Sequence, residues 1–354
     1  MSDFEVLHVV RRYGPVGGME SYVWELTHTL ANLGVKIEVI CEELCDQPSS
    51  AIQVHKVIKD TSRSRWRAMI NFRARVDALI ANQFVNRRPI IHSHERTLNH
   101  DITTFHGPPM VPKSNWWRFS WLSPRVKAWK LMEKEEIFGP KVKVVLPVSN
   151  RIKEHLVSLH PDIKNKSIIV AYPGIHEVSL KQTAPIRNTK IDARFVFIGR
   201  EWKRKGLSKA VEVCEALASR HPVQLDVFGV DSIDVPNSLA PPFVKFWGYQ
   251  AEVPFEQYDL LVHPAVSEPF GMVVSEARAS GVPVLISDNV GASDLNFSEV
   301  KTMRLSDPLE HWSLAIVDLV SQSTRIPETI WSWDHLVDLH IKDIYPKITA
   351  VYAS

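Results

Sequence analysis

The sequence predicts an α/β protein of two doubly wound domains, and three observations carry that reading. Apolar runs of strand length alternate with amphipathic helical stretches, the alternation breaks once and restarts, and 354 residues suffice for two cores. FEVLHVV is the first strand, MESYVWELTHTLANLG a helix that Gly34 ends, and KIEVICE the next strand. The stretch AYPGIHEVSLKQTAPIRNTK has no period and marks the junction. The second series runs RFVFIG (strand), LSKAVEVCEALASR (helix), QLDVFG and VKFWG (strands), DLLVHPA (strand), GMVVSEARASG (helix) and PVLIS (strand). The expected divisions are residues 1–170, a linker at 171–190, a second domain at 191–330 and a C-terminal helix at 331–354.

Composition excludes several classes. With 45% apolar and 23% charged residues the chain is globular, neither disordered nor built of membrane spans. It shows no apolar stretch of bilayer length and no basic N-terminus followed by an apolar signal core, so a cytoplasmic location is expected. Cys41, Cys45 and Cys214 make neither a disulfide framework nor a zinc set and are expected reduced. The net charge of +2 conceals an asymmetry: residues 1–182 carry 26 Lys and Arg against 18 Asp and Glu, the remainder 16 against 22. The basic half is expected to face an anionic partner.

The most informative segment is SEPFGMVVSEARASG, where Glu268 and Glu276 bracket a Pro-Phe-Gly turn opening a helix. It follows the buried strand DLLVHPAV, so the turn lies at a strand's C-terminal end, where parallel sheets bind ligands. Gly271 permits close backbone approach, and the amides of Phe270, Gly271, Met272 and Val273 begin a helix whose positive end favours anions. Glu268 accepts from ligand hydroxyls ahead of the helix, and Glu276, more than a turn inside it, reaches another part of the same ligand. A sugar nucleotide offers those groups. A second cationic element, GREWKRKGLSKA, places Arg200 and Lys205 between a strand and a helix, suited to a diphosphate. Its glycine spacing is not that of a Walker A loop, and Lys203 and Arg204 read as a solvated charge run.

Glu268, Phe270, Gly271, Glu276 and Ala277, with Gly281-Val282-Pro283-Val284 behind and Gly199-Arg200 and Lys205-Gly206 upstream, resemble the signature of the retaining glycosyltransferases of family four, which have the GT-B fold. The resemblance spans nearly the whole chain. It implies two Rossmann-like domains facing across a cleft, the first binding acceptor and the second nucleotide sugar. WSWDHLVDLHIKDIYPKITAVY would return to the first domain. It further implies transfer with retention and without a metal or other cofactor, Arg200 and Lys205 stabilising the departing diphosphate.

The remaining candidates follow from the same resemblance. Gly17 and Gly18 in RRYGPVGGME match a glycine pair whose amides approach the donor phosphates, though a plain tight turn explains them too. His106 in TTFHG matches a strand-end histidine lying against the transferred sugar. His94 lines the acceptor side or is a structural histidine. The density of His92, His94, His100 and His106 does not read as zinc, because the spacings put no ligands on one helix face. Trp116, Trp117, Trp121 and Trp129 alternate with Arg118, Arg125, Lys127 and Lys130, while Arg63, Arg65, Arg67, Arg73 and Arg75 surround Trp66. Two readings stand: a patch for the anionic inner leaflet, or packed tryptophans with solvated cations. No nucleic-acid-binding module is recognisable.

The expected partners are a nucleotide-sugar donor, taken as a UDP-sugar on prior grounds alone, and a glycan or lipid-linked glycan acceptor. Lipopolysaccharide core or another surface polysaccharide is the expected product. A nucleotide-sugar epimerase of GT-B-like shape and a donor-binding protein without turnover are the alternatives.

Overall fold

The computed structural model describes residues 4–109, 123–176, 193–219, 221–321 and 331–353. The chain divides into two compact units, Met1–Gly174 with Trp333–Ser354, and Ile175–Ser332.

In the first unit the strands are β1 (Glu5–Val9), β2 (Arg12–Tyr13), β3 (Lys36–Cys41), β4 (Glu43–Leu44), β5 (Ile52–Lys56), β6 (Ile90–Ser93), β7 (Ile102–Phe105), β8 (Val144–Pro147) and β9 (Ser167–Ile168). The helices between them are α1 (Gly18–Asn32), α2 (Arg65–Gln83), α3 (Pro124–Phe138) and α4 (Asn150–Leu159). Seven strands form one parallel sheet in the order β5-β3-β1-β6-β7-β8-β9, and β2 pairs with β4 apart from it. β6, β7 and β8 are buried along their whole length, as strands covered on both faces must be. α1 lays Tyr22, Val23, Leu26 and Leu30 on the sheet, a helical stripe that ends at Gly34, where φ is +81°. Chain order reverses between β1 and β6, so the loops leaving those strands diverge around a crevice.

The second unit repeats the plan with β10 (Ala193–Ile198), α5 (Trp202–Lys205), α6 (Leu207–Ala218), β11 (Val223–Phe228), β12 (Val244–Gly248), β13 (Leu260–His263), α7 (Met272–Ala279), β14 (Val284–Ser287), β15 (Val300–Met303) and α8 (Leu309–Ser321). Its six parallel strands lie in the order β12-β11-β10-β13-β14-β15, with the reversal between β10 and β13. Phe195, Phe197, Leu225 and Leu260 of the sheet pack with Leu207, Cys214 and Trp312 of the helices.

The chain closes with α9 (Trp333–Leu339), a π-helical turn at His340–Ile344 and α10 (Tyr345–Ala353), all within the first unit. There the Trp333 ring meets Tyr22 edge-on at 5.7 Å, and the Tyr352 hydroxyl donates to Asp101. Cys41, Cys45 and Cys214 are free thiols. Among the described residues no helix is long and apolar enough to cross a membrane.

Candidate functional site

In the second unit the candidate residues gather at the strand-order reversal. The loop leaving β10 carries Gly199 and Arg200 into the single turn of α5, and the loop leaving β13 carries Glu268 into α7. Gly206 joins α5 to α6 at φ +82°, and a β-carbon there would lie 1.9 Å from the Pro264 carbonyl oxygen. Only glycine lets these two loops touch. Beside it the Val266 amide donates to the Arg204 carbonyl at 2.8 Å. Glu268 is fixed from its other side: its amide donates to Asn289 at 3.0 Å and its carbonyl accepts from Gly291 at 3.0 Å.

Held this way, Glu268 receives the Lys205 ammonium on Oε2, and Arg204 Nη1 donates to the same oxygen at 3.2 Å. The Glu268 and Lys205 side chains are 10% and 17% exposed, so the pair sits largely out of water. Burial of Glu268 opposes ionisation, but His263 and Lys205 outweigh it and hold the carboxyl at about 2. His263 is fully buried at the end of β13 with Nε2 3.8 Å from Glu268, longer than a hydrogen bond, and burial lowers its own pKa.

Glu276 lies in the middle of α7. It is exposed, yet desolvation raises its carboxyl, with Lys205 pulling the other way. Lys205 thus acts on both acids. Arg200 does not join this pair. It is exposed and spreads its guanidinium over the Tyr249 ring at 4.6 Å, presenting a second cation on the loop that holds Lys205. Gly271, at φ +95°, precedes α7. Phe270 and Val273 bury their side chains, leaving backbone atoms as what they offer a ligand, and Met272 is half-buried.

One sequence reading needs correction. Lys203 is exposed over Trp202 as a solvated cation would be, but Arg204 is not part of a solvated run. It donates to Glu201 at 2.6 Å, to the Ser267 carbonyl at 2.7 Å and to Glu268. The one-turn helix rotates Arg204 back onto the β13 loop, a contact that sequence spacing does not reveal. His263, at the end of the apolar strand β13, is a further site residue whose sequence signal is a histidine closing an apolar run.

In the first unit Gly17 is extended and caps α1. A β-carbon on Gly17 would come within 2.5 Å of Glu20 Oε2, whereas one on Gly18 would meet open space. Gly17 therefore makes room for Glu20, which accepts from Arg12 Nε at 2.9 Å.

His94 and His106 belong to a packed group of imidazoles. His94 Nδ1 bonds to His106 Nε2 at 3.0 Å, and His94 Nε2 bonds to His8 Nδ1 at 3.1 Å. His94 is 4% exposed, so it orients His106. Tyr22 packs edge-on against His106 at 4.8 Å. Burial holds His8 and His106 at about 3 and keeps His92 and His94 well below the ordinary histidine range. Ring nitrogens of His8, His92 and His94 come within 4.8 Å of one another, a grouping that sequence spacing missed because His8 lies on another strand and is the register partner of His92. Those three rings could hold a metal by distance. His94 already bonds through both nitrogens, however, so a metal there would have to displace its bonds to His8 or His106.

Trp116, Trp117, Trp121 and Arg118 lie outside the described residues. Trp129 packs partly buried against the core under α2 and α3, with Arg96 over its ring. Arg73 pairs with Glu135 and Arg75 with Asp60, while Arg63, Arg65, Arg67, Arg125, Lys127 and Lys130 are exposed.

The family profile described as Glycosyltransferase Family 4 matches residues 16–177, and that described as Glycosyl transferases group 1 matches residues 192–322. The D-inositol 3-phosphate glycosyltransferase of Pseudarthrobacter chlorophenolicus is 24% identical over 329 residues, covering 79% of this chain and 76% of that protein. The structure of WaaG, a glycosyltransferase involved in lipopolysaccharide biosynthesis, matches with a TM-score of 0.72 at 18% identity over 98% of each chain. Anabaena Alr3699/HepE in complex with UDP-glucose matches with a TM-score of 0.63 at 14% identity over 99% of each chain. At these identities the two structures bear on the fold.

Proposed function

Because the chain belongs to the family-four glycosyltransferases and has their GT-B fold, we propose that it moves a sugar, with retention, from a nucleoside diphosphate sugar to a hydroxyl of a growing glycan. The observation that carries this reading is the Lys205–Glu268 pair joining two loops at the strand-order reversal of the second sheet, with Arg200 exposed on the loop that leads to Lys205. Lys205 and Arg200 would neutralise the diphosphate, Glu268 and Glu276 would accept from hydroxyls, and the amides around Gly271 would face the anion. A UDP-sugar is the proposed donor, supported by the UDP-glucose complex of the Anabaena protein. The acceptor falls to the first unit, and lipopolysaccharide core or a related surface polysaccharide is its proposed class, a reading supported by the involvement of WaaG in lipopolysaccharide biosynthesis.

In the reaction we propose, the bond from the anomeric carbon to the diphosphate oxygen breaks and a bond to the acceptor oxygen forms on the same face. The acceptor proton passes to the departing phosphate. This needs no protein nucleophile and no metal: the residues above bind, orient and stabilise leaving-group charge. His106, steadied by His94, is assigned to the transferred sugar.

A cytoplasmic site at the inner face of the plasma membrane is supported by the exposed cations of α2 and α3, which pack as neighbours. Flotation with anionic liposomes tests that placement. The test of function is release of nucleoside diphosphate, expected only when acceptor accompanies donor. Isomerised sugar from donor alone would show an epimerase, and binding without release under any acceptor would show a carrier.

A further inference from the structure

A cavity of about 400 Å³ opens in the first unit beside the β1–α1 loop, among the segments that follow β1, β3, β5 and β6. It therefore sits at the strand-order reversal of the first sheet, where a parallel sheet takes its ligand. Three ion pairs line it. Arg11 Nη2 contacts Glu42 at 2.7 Å, Arg12 Nη2 contacts Glu20 at 2.5 Å, and Lys59 Nζ contacts Glu43 at 2.6 Å. A fourth carboxylate, Glu95, completes the lining without a basic partner of its own: Oε1 accepts the Arg11 amide at 3.3 Å, and among the described residues nothing donates to Oε2.

Resting on the transferase reading above, we infer that this cavity holds the acceptor and selects an uncharged polyol, a plain glycan, over a phosphorylated one. Each lining cation is already matched to a carboxylate. A phosphate would have to take a cation from its partner while standing among four acids, and both requirements are unfavourable. A hydroxyl donates and accepts at once, so it bridges a carboxylate and a guanidinium without displacing either. The cradle is also preset, since Gly17 has no side chain to push Glu20 off Arg12. Burial raises the Glu95 carboxyl to about 7, with Arg11, its amide and Arg96 acting against the rise and Glu20 adding to it. Near neutral pH Glu95 therefore serves as donor or acceptor toward a hydroxyl.

The experiment is saturation-transfer NMR on the full chain with paired probes: methyl α-glucoside against glucose 6-phosphate, and myo-inositol against its 3-phosphate. The uncharged member of at least one pair is expected to bind more tightly than its phosphate ester. Glu95→Gln and Arg12→Met should each weaken that binding about tenfold, as loss of a hydrogen bond to a charged group does. Circular dichroism confirms the fold of both variants, and Arg12→Met, at an exposed residue, decides if Glu95→Gln does not fold. The inference is overturned if the phosphate esters bind more tightly, if no uncharged probe binds, or if both folded variants bind as the parent does. UDP-induced thermal stabilisation, read separately, reports the donor site: its absence would undo the proposed function and leave the cavity result to stand alone.

Discussion

Lys205→Ala separates chemistry from folding. The Lys205 stem lies so close over Gly199 that a β-carbon there would come within 2.8 Å of it, and its ammonium reaches Glu268 in a pair mostly shielded from water. Two losses follow from its removal. The first, on the proposed reading, is a preorganised cation for the leaving diphosphate, worth about 3 to 4 kcal/mol in the transition state, or roughly a 100- to 1000-fold fall in turnover. The second is pairing of Glu268. An orphaned buried charge costs about 3–5 kcal/mol, but here Arg204 keeps its 3.2 Å contact, so a loss of about 1 to 2 kcal/mol is expected. The variant should therefore remain folded and fail kinetically. The assay is UDP release from UDP-glucose with acceptor, run well below the melting temperature, with urea denaturation alongside. Parent-rate turnover in folded Lys205→Ala would refute the diphosphate assignment. A rate loss that merely tracked unfolding would refute it too.

Three other outcomes are expected. Gly206→Ala should destabilise by about 3 kcal/mol or more, because its φ of +82° disfavours a side chain and the new β-carbon meets the Pro264 carbonyl; Gly18→Ala, facing open space, should change stability by less than about 1 kcal/mol, both read by urea denaturation. Glu268 has its folded pKa depressed, so its contribution is complete above the unfolded value of about 4.3 and is lost as pH falls through about 2. That shift corresponds to about 3 kcal/mol, and Glu268→Gln should flatten the stability profile below pH 4.5 relative to the parent. Excess EDTA should leave the initial rate of sugar transfer unchanged, and recovery of a lost rate by zinc would instead direct attention to His8, His92 and His94.

How much of this was legible in the sequence depends on whether the signal was local. The inner strands β13 and β14 are buried along their whole length because they are covered on two faces, and such short apolar runs need no neighbour to be read, whereas the edge strands β5, β12 and β15 carry exposed polar residues. The Glu268 to Glu276 segment was equally plain, since a turn glycine, a helix start and two acids at fixed spacing all lie within one stretch of chain. Arg204 was misread for the opposite reason. In GREWKRKGLSKA three consecutive cations look alike, and only the turn of α5, locked by Gly206 against Pro264, decides that Lys203 points to water while Arg204 and Lys205 point to Glu268. The histidines show the same division. Spacing along residues 92–106 asks only whether one helix face assembles them, but a parallel sheet assembles side chains by register, and His8 joins His92 across 84 positions because β1 and β6 are neighbours. The residues that sequence alone misplaced are those whose partners are set by strand order. Strand order is also what fixes the crevices, so the carboxylates and cations that strand order brings together are where a substitution should alter sugar transfer before it alters the fold.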